Sequence, residues 1–300
     1  MEKCHQFGAG RRVSLGLWYQ GARPKTLGAS VAPVLVGTAV AARYGDVVWY
    51  RAGLCLVVSV ALQVGVNYAN DYSDGIRGVD KERKGPVRLT ASELKAPVAV
   101  KRAAFLALGV AAVAGVALAL VVNPWMLAVG AASIAAAALY SGGPKPYASA
   151  GMGEVMVFVF FGLVGTCGSA FVHLERVPWL AVAASVPVGL LACAILLVNN
   201  LRDVVSDGAT GKRTLAVRIG AQRTVRLYQA SVVVSFVMVG VIALTAPAAL
   251  LALAAVPLAV APLRAAQVGR PTPVLVGALI GTARLQIVLS VLLAAGIAWK

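Results

Sequence analysis

The chain is expected to be an all-α membrane protein of nine transmembrane helices, two four-helix units plus a ninth, around a central cavity open to the cytoplasmic side. Three observations lead there. Of its 300 residues, 60% are hydrophobic and only 13% charged, against the roughly 25% charge of a soluble domain. Several apolar runs approach or exceed the roughly 20 residues that cross a bilayer. Two polar stretches, Val66–Asp80 and Val198–Thr214, close two such runs and match each other at an offset of 132 residues. That offset covers four spans, and repeats of this kind place binding sites where the halves meet.

Residues 1–26 read as a basic cytoplasmic segment without a small-residue cleavage site, and are expected to be retained. Residues 27–300 read as one transmembrane domain. Its spans fall at about 27–42, 50–70, 103–122, 125–140, 152–172, 178–200, 225–245, 248–266 and 274–298. Short connections such as Asn123-Pro124 and Ala246-Pro247 carry a proline that cannot continue the preceding helix. Three connections, 71–102, 141–151 and 201–224, are long and polar. With the amino terminus inside, all three lie on one side, together with 22 of the 27 Lys and Arg residues. Four lie opposite (Arg43, Arg51, Arg176 and Lys300), and Arg284 falls inside the last span. This asymmetry puts the long loops in the cytoplasm. It also accounts for the net charge of +16 without a nucleic-acid partner. Cys4, Cys55, Cys167 and Cys193 are scattered with no CxxC pair, which suits small buried hydrophobes. His5 and His173 stand alone, so neither is expected to bind a metal.

The chemistry lies in the two polar stretches. On a helix Asn67, Asp71 and Asp74 share one face, as do Asn199, Asp203 and Asp207. Four carboxylates meeting at a membrane boundary are costly without a cation. Magnesium suits them, being hard, oxygen-seeking and commonly held by one or two carboxylates plus substrate phosphates. Asn67, Asn70, Asn199 and Asn200 add neutral oxygens, and basic side chains surround the acids. One acidic motif alone would read as a solvated helix end; two matching copies favour a magnesium-bridged diphosphate with an apolar tail.

The motifs that carry a family likeness are RPKTL (Arg23–Leu27), NYANDYSDGIRGVD (Asn67–Asp80), GPVRLTAS (Gly85–Ser92), YSGGPKPYASAGMGE (Tyr140–Glu154) and NNLRDVVSDGATGKRTLAVRIG (Asn199–Gly220). Together they resemble the UbiA superfamily of intramembrane prenyltransferases, in its menaquinone-pathway branch. The resemblance implies a bacterial plasma-membrane enzyme using Mg2+, a polyprenyl diphosphate and 1,4-dihydroxy-2-naphthoate, releasing CO2 and diphosphate and forming a demethylmenaquinone. It implies catalytic roles for Asp71, Asp74, Asp203, Asp207 and Lys145, with Asn67 and Asn199 joining the four acids at the metal. It also implies diphosphate contacts from Arg23, Lys145 and one of Arg83 or Lys84, with Lys212 and Arg213 as second choices. Asp80 could touch metal or hold a basic loop residue. Glu154 could serve the site or the helix dipole, and Tyr140 the aromatic belt or a developing cation. The chain departs from the family pattern at Tyr147–Ala150, where a Leu-containing turn is usual. Two other readings stay open here: a relative with another acceptor such as 4-hydroxybenzoate, and a secondary transporter.

Overall fold

A computed structural model describes residues 15–78, 88–144 and 146–299. Asp80, Arg83, Lys84 and Lys145 lie outside the described residues. All regular structure among the described residues is helical. The long rods are α1 (Gly28–Tyr44), α2 (Trp49–Ile76), α3 (Pro97–Val121) and α4 (Met126–Ser141). They continue as α5 (Gly153–Leu174), α6 (Trp179–Ala209), α7 (Ala221–Ala243), α8 (Pro247–Ala265) and α9 (Thr272–Ala298). Each expected apolar run falls on one of these rods, but not every rod is a full span. Seven, α2, α3 and α5 to α9, are long and apolar enough to cross a membrane. With 17 residues, α1 meets that length only together with Leu15–Thr26, bent by 52° from it. The helix α4 has only 16 residues. The length and composition of these helices support seven crossings, or eight if the bent pair is one span, where the sequence led to an expectation of nine.

Local chemistry explains the breaks. Pro24 opens a short 3₁₀ turn, and Arg23 before it is left-handed at φ 57°, uncommon for a residue with a side chain. Within α5, Phe158–Val164 winds as a π-helix, a device that recurs at functional sites. Pro33 and Pro187 sit inside α1 and α6, positions that neighbouring helices make tolerable in a membrane bundle.

Packing makes α6 the central post: 78% of its most apolar window is buried, whereas α2, α3 and α8 bury under a third of theirs. It packs on α7, α9 and the π-segment of α5. Lipid-facing residues such as Phe105, Leu106, Val113 and Leu120 of α3 are exposed, as expected where the solvent is hydrocarbon. The most extensive contacts join α2 to α3 and α6 to α7, the pairs that follow and contain the two acidic motifs. Arg284 points outward from α9, so it has to reach a membrane surface by snorkelling and not by joining the bundle. Cys55 and Cys193 are buried and outside any disulfide, and His173 Nδ1 accepts the Val48 amide at 3.2 Å, a structural role.

Opposite the acidic motifs, two arginines bind helix ends. Arg43 donates to Thr245 O at 2.7 Å and Trp299 O at 3.0 Å, beyond α7 and α9. Arg51 donates to Val172 O at 2.7 Å and Val121 O at 3.1 Å, near the ends of α5 and α3. These carbonyls have no intrahelical partner and carry the negative end of the helix dipole. Arg51→Ala should therefore cost about 2 kcal/mol of stability, the scale of hydrogen bonds to a charged donor. The check is the thermal unfolding midpoint in detergent; an unchanged midpoint would show the clamp to be incidental.

Candidate active site

A cavity of about 1000 Å³ lies inside the bundle. Along α2 it is lined by Cys55, Val58, Leu62, Val66 and Asn70, one face of a helix, covering about 22 Å at 1.5 Å per residue. Its deep part is apolar, with Leu118, Phe160 and Phe171 among its walls. At the other end Asn70, Arg88, Tyr140 and Asn199 line both this cavity and a small polar pocket that holds Asp203, Asp207 and Lys212. A greasy chamber thus ends in a charged one.

The two acidic motifs meet there. Asp71, Asp74, Asp203 and Asp207 are all at most 6% exposed, so each needs an answering group. Asp71 accepts the Leu89 amide at 2.8 Å and the Thr90 amide at 2.9 Å, one on each oxygen. This fastens the segment after α2 down onto the helix. Gly75 makes room for it, since a Cβ there would lie 2.5 Å from Thr90 Cγ2. Asp203 receives Arg202 on both oxygens, at 2.7 and 2.6 Å, and the same guanidinium donates to Asn199 Oδ1 at 2.9 Å. Asp74 and Asp207 share a cation: Lys212 Nζ is 3.6 Å from Asp74 Oδ2 and 3.8 Å from Asp207 Oδ1. Asp74 Oδ2 is buried and has no hydrogen-bond partner.

The remaining expected residues fall at different distances from this centre. Asn67 is buried and donates to Ala22 O at 2.9 Å, which ties α2 to the bend before α1. Arg23, in that bend, lines the cavity. Asn200 donates to Glu154 Oε1 at 2.9 Å, and Glu154 Oε2 is buried without a hydrogen-bond partner. Tyr140 stacks edge-on against Tyr147 with ring centroids 5.5 Å apart. The Tyr147 hydroxyl donates to Ala136 O at 2.8 Å, and burial pushes its phenol up to about 12. The segment Tyr147–Ala150, where the sequence leaves the family pattern, contains the 3₁₀ turn Ala148–Ala150 with Tyr147 as its N-cap. Arg213 is exposed, and its backbone, not its side chain, makes the local contacts: its amide donates to Ser149 O at 3.1 Å. The structure does not bring the Arg213 side chain into the pocket.

Sequence reasoning assigned no role to Arg88 or Arg202. Arg88 sits in the GPVRLTAS motif and is 8% exposed; its place beside Leu89 and Thr90, the Asp71 partners, sets it at the pocket. Arg202 was visible only as one base among many. Its signal was adjacency to Asp203, which helix geometry alone would not read as a pair. Among the described residues no three His, Cys, Asp or Glu side chains are grouped to hold a metal.

Comparison with known proteins agrees with this architecture. The UbiA prenyltransferase family matches residues 30–273. A 1,4-dihydroxy-2-naphthoate octaprenyltransferase of Mycobacterium tuberculosis is 49% identical over 261 residues, covering 86% of this chain and 89% of that protein. Its namesake from Escherichia coli is 37% identical, with 68% of each chain covered. Among solved structures, a UbiA homolog from Archaeoglobus fulgidus bound to GPP and Mg2+ superposes with a TM-score of 0.64 at 14% identity, covering 92% of this chain and 99% of that one. A digeranylgeranylglyceryl phosphate synthase superposes at 0.60 with 15% identity, covering 95% and 99%. These last two speak for the fold. With its membrane-length helices and its family match, the chain is a multi-pass membrane protein, and it belongs to the UbiA prenyltransferase family.

Proposed function

We propose that this protein transfers a polyprenyl group from an isoprenoid diphosphate to 1,4-dihydroxy-2-naphthoate. The observation that carries the reading is the continuity of an apolar chamber of about 1000 Å³ with a polar pocket lined by Asp203, Asp207 and Lys212, the last also reaching Asp74 of the first motif. A polyprenyl diphosphate has the same division, and the relatives named above supply the acceptor. In the reaction the bond between the allylic carbon and the diphosphate oxygen breaks, and a bond forms to the acceptor ring carbon that bears the carboxylate. That carboxylate leaves as CO2, its electron pair restoring the ring, and the product has the demethylmenaquinone skeleton. The sidedness of Lys and Arg favours nine crossings with the amino terminus and the site loops in the cytoplasm of a bacterial plasma membrane. In that count, α1 with its bent extension and the short α4 also cross.

A divalent cation fits the residues present. Asp74 Oδ2 is buried with no hydrogen-bond donor and Asp207 faces the same ammonium, so a hard-oxygen pair is available. Magnesium needs only one or two carboxylates when phosphate oxygens and water complete its shell. Asp74 and Asp207 would hold it, with Asp71, Asp203, Asn67 and Asn199 around them, and it would supply charge stabilisation for the departing diphosphate. The chain itself does the rest. Arg23 and Arg88 meet the diphosphate from the cavity side, and Lys145, Arg83, Lys84 and Lys212 are its remaining cationic contacts. Tyr140, at the junction of the two chambers, stabilises developing allylic charge. Glu154 holds Asn200 at the pocket wall, and the apolar lining excludes water from the allylic centre.

The test is transfer of a labelled prenyl diphosphate in purified membranes, with and without Mg2+, to 1,4-dihydroxy-2-naphthoate and 4-hydroxybenzoate in parallel. Product with the naphthoate alone, dependent on Mg2+, is expected. Product with the benzoate alone would replace the acceptor, and transfer undiminished by chelator would remove the metal. Asp74→Asn should lower kcat/KM by about 10²- to 10³-fold, the scale of losing one charge-stabilising group.

Asp71 has a second duty that is separable from the metal. Its replacement by Ala leaves the Leu89 and Thr90 amides without an acceptor, a loss of about 1–3 kcal/mol in local order. Hydrogen exchange at residues 88–92 should then speed up while α2 stays protected. Unchanged exchange there would mean that something else holds the segment.

A further inference from the structure

Lys212 lies where a metal-binding pair needs a cation, and its backbone is hydrogen-bonded while its ammonium stands beyond hydrogen-bond length from both acids. Its amide donates to Asp207 O at 2.9 Å, and the preceding Gly211 takes φ 77°, a left-handed turn that glycine enters without strain. The turn is further held by Thr214, whose hydroxyl caps the helix Leu215–Ile219 by accepting the Val217 amide. From this anchor the four-carbon stem reaches to a point 3.6 Å from Asp74 and 3.8 Å from Asp207. Those lengths are within ion-pair range but beyond hydrogen-bond range. Arg202 on Asp203 is different: two bonds of 2.6 and 2.7 Å in a fork that has to break twice to leave.

We propose that Lys212 is a placeholder cation: it neutralises Asp74 and Asp207 while the site is empty, yields its place to an incoming divalent cation, and then turns to the diphosphate. The proposal rests on the metal–diphosphate reading above. Physically, two carboxylates at most 5% exposed repel each other strongly unless a charge lies between them. A lysine does this without a directional lock, since its ammonium is a point charge on a flexible stem. Its side chain is 19% accessible, more than either carboxylate, and it faces the polar pocket that opens to the cavity. Displacement therefore moves the ammonium toward the bound diphosphate and does not bury it further.

The consequence is a pair of opposite effects from one substitution. A neutral residue at 212 removes a competitor for the metal and a partner for the diphosphate. In Lys212→Met, Mn2+ alone should bind about thirtyfold more tightly, the effect of one unit charge on a divalent ion about 4 Å away at the dielectric of water. Inorganic diphosphate, added with saturating Mn2+, should bind several-fold more weakly. Lys212→Arg retains the charge and should leave Mn2+ affinity within twofold of wild type. Titration of the purified protein in detergent, following free Mn2+ by electron paramagnetic resonance, reads the first effect, and calorimetry with diphosphate reads the second. Unchanged or weaker Mn2+ binding by Lys212→Met overturns the placeholder role while leaving the metal site standing. Failure of the wild-type protein to bind Mn2+, with or without diphosphate, overturns the metal reading and the placeholder with it. Lowered thermal stability of Lys212→Met in chelator, restored by Mn2+, is the accompanying sign that the ammonium had been balancing the pair.

Discussion

Four carboxylates buried at one end of an apolar bundle form the constraint on which the rest of this structure depends. In a medium that cannot solvate them, each has to be matched locally by a donor or a cation, and the matching determines where the surrounding segments go. Asp71 is matched by two backbone amides, and so the segment from Arg88 onward is drawn onto α2. Asp203 is matched by the preceding residue of its own helix, Arg202, which in turn orients Asn199. Asp74 and Asp207 both face the Lys212 ammonium from the segment after α6, which joins the two halves of the motif pair. That segment is itself tied to the connection after α4, through the Arg213 amide on Ser149 O. Three polar connections converge over the cavity mouth because the acids beneath them require it.

The opposite end of the bundle handles charge in the reverse sense. There the unmet groups are helix carbonyls, and Arg43 and Arg51, at the end of α1 and the start of α2, supply the donors. These two cations are thus fixed to helix ends, whereas at the other end Arg202 and Lys212 face acids. The strong sidedness of Lys and Arg in the sequence reflects both bilayer orientation and this division of labour.

What the sequence made legible follows from periodicity and length. Apolar runs of bilayer length located every long rod, and a helical repeat put Asn67, Asp71 and Asp74, and separately Asp203 and Asp207, on common faces. The structure buries all five of these residues together at the cavity mouth. What stayed hidden depends on contacts between segments or on departures from regular helix. The amides that hold Asp71 are 18 and 19 residues away, and a backbone donor leaves no mark in a residue pattern. Arg202 reaches its immediate neighbour by folding back a long side chain, against the rule that adjacent helix residues face apart. At α1 and α4 hydropathy identifies an apolar run but does not register the bend at Arg23–Pro24 or the early stop at Ser141. The π-helical turn of α5 is likewise silent, since Phe158–Val164 would be equally apolar as an α-helix.

The two basic side chains on the second motif illustrate how similar charges can be given different lifetimes. Arg202 and Asp203 are nearly inaccessible and joined by two short bonds, and exchanging either partner for solvent or a ligand would strand a charge in a dry site. Such a pair is a fixture, and its use is geometric: it holds Asn199 toward the cavity. Lys212 is more accessible, lies farther from each acid, and contributes one diffuse attraction to two carboxylates at once. Its departure strands nothing provided that another cation arrives, because the incoming charge takes over both interactions together. Under the proposed reaction, a site that binds and releases a metal–diphosphate on every turnover needs one arrangement of each kind. Its walls have to remain fixed when the ligand leaves, while its charge balance has to be exchangeable. The same motif supplies both, four residues apart on one helix face, by pairing one acid with a forked neighbour and leaving the other to a flexible ammonium.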